Sequence, residues 1–294
     1  MNGGFEYRET VGREANGSTV LAWLAVRHRH SGEPIWRARI AAGEVSLDGA
    51  VATASDALRA GQRLAWRRPP WEEPAVPLGF AVLFRDEQLL AVAKPRGLPS
   101  VPNGGFLENT LLFQVRRLHP EAVPMHRLGR GTSGLLLFAR TEAARRAVAA
   151  EWRVGRVEKA YRALVSGVPR EARFSIDAPI GRVAHPRVGS VHAAVAAGKP
   201  ALSHVEVVSA RGDSALVSIR IPTGRPHQIR IHLAAAGHPL LGDPLYVTGG
   251  VPGPRPGLPG DGGYRLHAHR LSLAYPQTGA CLELECAPPL ELRE

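Results

Sequence analysis

The sequence predicts an α+β protein whose main domain is a mixed, mainly antiparallel sheet, preceded by a small helical module. Three observations predict it. Past a proline-rich connector, short apolar runs bounded by turn residues dominate the chain. Only a few segments there carry a helical period. Ahead of the connector, two helical patterns are followed by a valine strand and a tight turn, a separate small α+β arrangement.

In chain order, residues 1–16 read as a loose lead-in and residues 17–68 as the small module. Residues 18–29 have the spacing of a helix with Leu21, Leu24 and Ala25 on its apolar face. Residues 35–42 predict a second helix, with Ile35, Ala38 and Ile40 inward, Arg37 and Arg39 outward, and Gly43 as its stop. Residues 44–51 read as a strand, an Asp48-Gly49 turn and a returning strand, and residues 58–66 end the module. Residues 69–79 are the proline-rich linker.

Residues 80–294 form the larger domain. Strands at 80–84 and 89–93 flank the polar turn Arg85-Asp86-Glu87-Gln88. A buried strand at 135–139 leads into a helix at 141–152. Strands follow at 160–165, 205–209 and 215–221, then a helix at 227–236 stopped by Gly237. Strands at 266–274 and 282–286 close the sheet. Residues 248–263, rich in glycine and proline, predict a mobile loop.

With 294 residues, 44% of them hydrophobic, the chain can bury a core without disulfides. The formal net charge of +11 favours a polyanionic partner, because Lys and Arg beside phosphates release condensed counterions. Arg27, Arg29, Arg37 and Arg39 make the small module the natural place for auxiliary RNA contacts. The two cysteines, Cys281 and Cys286, sit at an odd spacing on one strand, which puts their side chains on opposite faces and argues against a disulfide. This usage fits a reducing cytosol, so a cytoplasmic location is expected. No stretch is long and apolar enough to span a bilayer, so no membrane partner is expected.

Residues 129–134, Gly129-Arg130-Gly131-Thr132-Ser133-Gly134, match G-x-G-x-x-G. A dinucleotide fingerprint of that form opens a helix, whereas here Leu135-Leu136-Leu137-Phe138-Ala139 continues as strand. A nucleotide cofactor is therefore not expected. Among the histidines, His227 and His232 are five apart and His267 and His269 alternate on one strand. Neither pair is joined by Cys or carboxylate at a zinc spacing, which favours structural or RNA-contacting roles over metal.

Five segments, in one order, carry a family resemblance. They are Lys94-Pro95-Arg96-Gly97-Leu98; His126-Arg127-Leu128-Gly129-Arg130-Gly131-Thr132-Ser133-Gly134; residues 159–167 around Tyr161; residues 223–232, containing Gly224-Arg225-Pro226-His227-Gln228-Ile229-Arg230; and residues 237–246, containing Gly242-Asp243. Together they resemble the RluA-type pseudouridine synthases across roughly residues 80 to 290. The module at 17–68 is similar to the small alpha-L RNA-binding module that precedes many such domains. The resemblance implies an RNA uridine isomerase that needs no cofactor and acts on tRNA or ribosomal RNA. It places Tyr161 as the tyrosine that stacks on the base and helps remove a carbon-bound proton, and Arg230 as the arginine that aims a carboxylate. His126, Arg127, Leu128, Arg130, Thr132, Ser133, Arg225, His227 and Gln228 are the expected uridine and RNA contacts.

One residue departs from the pattern. The family's loop reads His-Arg-Leu-Asp, and the Asp carries the chemistry; here that position is Gly129. No Asp or Glu lies between Glu121 and Glu142. Glu158 should face away from Tyr161, Asp86 and Glu87 sit on a hairpin tip, and Asp243 matches a turn residue of ordinary members. None is a convincing replacement by sequence. Gly129 and Gly131 permit positive φ, and Arg130 between them could hold a phosphate. Two functions fit: a synthase working without the usual Asp, or a catalytically silent RNA-binding protein that keeps the pocket. Under the second, Gly129→Asp should create activity by returning a partner to Arg230.

Overall fold

The computed structural model describes residues 1–28 and 30–294; Arg29 lies outside the described residues. The chain divides into two compact units, residues 1–73 and 74–294, the boundary falling inside the proline-rich connector.

In the first unit the elements are β1 (Phe5–Thr10), α1 (Val20–Arg27), α2 (Glu33–Ala41), β2 (Val45–Leu47), β3 (Ala50–Val51) and β4 (Arg63–Arg68). The supposed lead-in is thus partly a strand: β1 pairs antiparallel with β4 in a sheet of order β1-β4-β2-β3. Its residues alternate poorly in hydropathy, which hid it from a period-two reading. Thr19 caps α1, its Oγ1 accepting from the Ala22 N–H. Asp48 and Gly49 both take positive φ, the form a two-residue hairpin turn requires. The face of α2 is rotated from expectation. Ile35 is exposed and Trp36 is buried beside Ile40, because the indole offers the larger apolar area to Leu24, Val45 and Trp66.

The second unit contains β5 (Ala81–Arg85), β6 (Leu89–Lys94), α3 (Leu111–Leu118), β7 (Val123–Pro124), β8 (Ser133–Ala139), α4 (Glu142–Arg153), β9 (Glu158–Ser166), β10 (Arg173–Ile176), β11 (Ile180–His185), β12 (Gly189–Ala194), β13 (Ser203–Arg211), β14 (Ser214–Arg220), α5 (Gln228–Ala235), β15 (Tyr246–Val247), β16 (Val251–Pro252), β17 (Leu266–Ala274) and β18 (Cys281–Glu285). Among the described residues, one sheet holds ten of these strands, ordered β10-β13-β14-β9-β17-β8-β6-β5, with β18 on β17 and β7 on β8. Every pairing in it is antiparallel except β17 with β8, where His267 lies opposite Ser133 and Ala268 opposite Gly134.

Strand alternation sorts the core. Leu89, Ala91, Leu135 and Leu137 point to one face, under Ala144 and Val148 of α4. Leu90, Val92, Leu136 and Phe138 point to the other, under Leu111 and Val115 of α3. β8 is buried along its whole length, which explains why its sequence is a continuous apolar run rather than an alternating one. A third cluster, built on β9, β13, β14 and α5, contains Val165, Val217, Ile229, Leu233 and Tyr264. Tyr161 packs against both this cluster and the one under α3, so it stands at their border. Cys281 is exposed and Cys286 buried, both as free thiols.

Candidate active site

The loop at residues 126–134 is fastened by its backbone. Ser100 Oγ donates to Leu128 O at 2.9 Å and accepts from Leu128 N at 3.1 Å. Lys94, 1% exposed, donates its ammonium to Leu98 O at 2.7 Å, Pro95 O at 3.0 Å and Arg130 O at 3.3 Å. Burial, with Arg96 close by, pushes Lys94 down to about 7. Gly97 N also donates to Arg130 O, at 2.8 Å. The Lys-Pro turn therefore exists to hold this loop, a role the sequence pattern left unstated.

Several expected RNA contacts turn inward. His126 Nε2 accepts the Leu137 N–H at 3.1 Å and its ring stacks on Trp152. Burial, helped by Lys159, pushes its imidazole down to about 4, so it stays neutral. Leu128 belongs to the core under α3. Ser133 Oγ bonds His267 Nδ1 at 2.9 Å, and Thr132 Oγ1 lies 3.3 Å from Tyr264 Oη. Gln228 is 3% exposed and fully used inside, donating to Leu202 O and Ser203 Oγ and accepting from Thr223 Oγ1 and Arg225 N. His126, Leu128, Ser133 and Gln228, expected as uridine or RNA contacts, are each engaged by a backbone or core partner that the motif alone does not reveal. Arg127 is exposed and, among the described residues, has no hydrogen-bond or ionic partner.

Gly129 and Gly131 do not take positive φ; in this loop only Gly134 does, at 113°. Their smallness has another cause. A Cβ on Gly131 would sit 2.8 Å from two ring carbons of Tyr264, and one on Gly129 would sit 3.0 Å from its hydroxyl. Tyr264, 1% exposed, fills the space where side chains would be. Arg130 is not presented on a free nest either. Its Nε donates to Gly260 O at 2.7 Å and Asp261 lies 3.7 Å from Nη2.

The opposite wall is the corner formed by α5 and the turn after it. Arg230, 2% exposed, donates Nε to Asp243 Oδ2 and Nη2 to Asp243 Oδ1, both at 2.7 Å, a bidentate pair. Its Nη1 reaches Pro259 O at 3.2 Å, and its guanidinium lies 4.3 Å from the Tyr264 ring centre. Burial, the largest single influence, works against the guanidinium's charge, but the Asp243 hydrogen bonds together with the fields of Tyr264, Asp243 and Tyr246 outweigh it and hold Arg230 above its ordinary value. Asp243 Oδ1 also accepts from Leu245 N and Tyr246 N, so it closes the turn as well. Arg230 thus already has a carboxylate, contrary to the expectation that it waits for one. His227, in the left-handed region at φ 57°, meets Tyr246 Oη at 2.8 Å, and Tyr246 donates its O–H to His192 O at 2.8 Å. Burial and then Arg230 push His227 down to about 3. Arg225 Nε is used on Pro200 O.

Tyr161 carries no hydrogen bond on its hydroxyl among the described residues, and burial pushes its phenol up to about 12. Tyr161 thus presents a neutral phenol rather than a phenolate base. His227, His232, His267 and His269 each have a ring nitrogen engaged with a protein oxygen, His267 Nε2 and His269 Nδ1 both on Cys286 O at 3.0 Å. Sequence reasoning missed Tyr264 and the segment carrying Pro259 and Gly260, because a glycine- and proline-rich stretch has no period to read.

A family model described as RNA pseudouridylate synthase matches residues 88–235. The chain belongs to the RluA-type RNA pseudouridine synthases. It is 41% identical to an uncharacterized RNA pseudouridine synthase of Synechocystis, over 93% of this chain and 95% of that one. It is 36% identical to RNA pseudouridine synthase 5 of Arabidopsis thaliana, over 93% and 89%. The structure of human RNA pseudouridylate synthase domain containing 1 superposes with a TM-score of 0.58 at 28% identity, covering 74% of this chain and 87% of that one. Its function is that of an RNA pseudouridine synthase, with RNA as partner, and the comparisons favour this over a silent binding protein. No helix among the described residues is long and apolar enough to cross a membrane.

Proposed function

We propose that this synthase isomerises a uridine of cytoplasmic tRNA or ribosomal RNA, and that Asp243 supplies the carboxylate absent at Gly129. The observation that carries the reading is the bidentate Arg230–Asp243 pair. It puts an ionised, aimed carboxylate on the arginine that the family motif assigns to that task.

The reaction breaks the ribose C1′–N1 bond, turns the uracil and forms C1′–C5. The C5 proton leaves and N1 gains one, so the overall change needs no oxidant, reductant or cofactor. A carboxylate attacks the sugar or takes its proton while the base is free. Oδ2 of Asp243 accepts from Arg230 alone, whereas Oδ1 carries three donors, so Oδ2 is the reactive oxygen. Tyr161 stacks on the uracil and donates its O–H to a base oxygen. Arg127, without a partner, takes a flanking phosphate. Because the pair is sealed by Tyr264 and Pro259, the 257–264 segment must move for a flipped uridine to enter.

The test is pseudouridine mapped by site in total RNA with and without the gene, then with purified protein and its variants. Asp243→Asn should bind RNA and form no product, and Tyr161→Phe should slow the reaction. Native product yield from a folded Asp243→Asn enzyme would remove Asp243 from the chemistry. No product from the native protein at any site would return the silent reading.

A further inference from the structure

We infer that the exposed rim of the core-facing side of β1 and β4 in the first unit, where Phe5 and Tyr7 flank Trp66, is a stacking surface for unpaired RNA bases. This rests on the reading that the chain works on RNA, and concerns the first unit, which carries none of the five family segments.

Phe5 stands opposite Arg68 and Tyr7 opposite Trp66, so these four side chains share one face. Trp66 is buried and stacks on Tyr7 at 5.1 Å, with the planes 17° apart; Phe5 meets Tyr7 edge-on at 4.8 Å. The apolar core of the unit is already closed by Trp36 and Trp66, yet Phe5 and Tyr7 remain 44% and 43% exposed. Two neighbouring aromatic rings left in water on an edge strand cost solubility and add little packing.

Two arginines border the rings. Arg39 Cζ lies 4.2 Å from the Trp66 centroid and 4.7 Å from that of Trp36, and Arg68 Cζ lies 3.4 Å from that of Trp71. Stacking occupies the flat faces of a guanidinium and leaves its N–H rim for acceptors. Among the described residues, neither arginine is in an ion pair, and Arg39 makes one bond, to Ser31 Oγ. Arg37 is taken by Glu33, and Arg8 and Arg67 by Glu6, whereas Arg13, Arg59 and Arg63, like Arg39 and Arg68, are in no ion pair among the described residues. Arg39 is therefore not the outward-facing cation its helical position suggested. One carboxylate stands beside the rings, Glu44, which accepts from Trp66 Nε1 at 2.9 Å and, among the described residues, is in no ion pair with either arginine; a hollow bounded by Gly3, Gly4, Phe5, Glu6, Glu44 and Arg68 opens next to them. Rings for bases and unpaired guanidinium rims for phosphates are the two parts a single-stranded RNA site combines. A duplex, whose bases are already stacked, can use only the second.

The test is fluorescence anisotropy of the full chain with a labelled oligouridine and with a blunt RNA duplex of equal length. Phe5→Ala with Tyr7→Ala should weaken oligouridine binding about 10-fold and leave the duplex and the salt slope unchanged. Arg68→Gln should reduce the slope of log affinity against log salt by about one for the single strand. Phe5→Trp should bind as well as native or better. Should the double variant misfold, Phe5→Ala alone, which keeps the Tyr7–Trp66 stack, carries the same expectation. Equal loss on both RNAs, or native affinity in the ring variants, overturns the inference and leaves the face to a protein partner or a second copy. The readout is binding, so it stands or falls separately from turnover.

Discussion

The loop at 126–134 and the corner around Arg230 both match the family motif, and they use it differently. The loop keeps its shape with no acid: Lys94, Ser100 and Gly97 hold its backbone, and Tyr264 occupies the room a side chain would need. The corner is saturated with charge, Arg230 and Asp243 completing each other at 3% and 1% side-chain exposure. Backbone anchoring keeps a loop's shape whatever side chain stands at its centre. A buried arginine cannot outlast its counter-charge, because an unpaired buried ion is among the costliest defects in a fold.

The sharpest break in this contrast is Asp243→Asn. It should abolish product and lower stability by about 3–5 kcal/mol, read by denaturant unfolding, since Arg230 is left charged and buried. Joining it with Arg230→Met should recover much of the stability and none of the activity. If the single variant is as stable as native, the corner is not held by charge.

Next is acid. Each region holds a neutral buried imidazole, His126 at about 4 and His227 at about 3, against 6.5 when unfolded. The unfolded chain binds these protons first, so stability falls as pH drops below about 6.5, down to about 4 for His126 and about 3 for His227. His126 contributes on the order of 3 kcal/mol and His227 on the order of 5 kcal/mol over their windows. His126→Gln, which retains an acceptor for Leu137 N, should flatten the part between pH 6.5 and 4. An unchanged acid limb in urea melts at stepped pH would refute that assignment.

Smaller is Gly131→Ala, expected to cost about 2 kcal/mol through contact with the Tyr264 ring and to be relieved by Tyr264→Leu. Gly129→Asp meets the same tyrosine and should cost stability without restoring a partner that Arg230 already has; paired melts and product assays decide it. The mildest is Arg37→Gln, where an exposed pair with Glu33 is removed: a change within about 1 kcal/mol.

The order of strands and helices in the second unit was legible because its elements announce themselves, β8 by an unbroken apolar run and α4 by its period and the Thr141 cap. β1 was not, since Phe5-Glu6-Tyr7-Arg8-Glu9-Thr10 mixes charge with ring on an edge strand whose neighbour lies more than fifty residues on. At the candidate site, the motif singled out Tyr161 and Arg230, whose burial the structure shows but whose surroundings the motif did not. Asp243 was read only as a turn residue, because sequence spacing does not say which buried cation a turn carboxylate will face. Tyr264 was invisible for the reverse reason: it acts by filling space left by two glycines far away in the chain.

The parallel seam between β8 and β17 carries a consequence for synthesis. Ser133 and Gly134, where the loop enters the sheet, lie on His267 and Ala268, and Gly134 sits so close to the Ala268 backbone that a Cβ there would be 2.2 Å from its carbonyl oxygen. A chain emerging from the ribosome therefore has its binding loop in hand long before the strand that seats it. The pocket comes into being almost at the end of translation, and nascent chains shorter than about residue 268 carry the motif without the site.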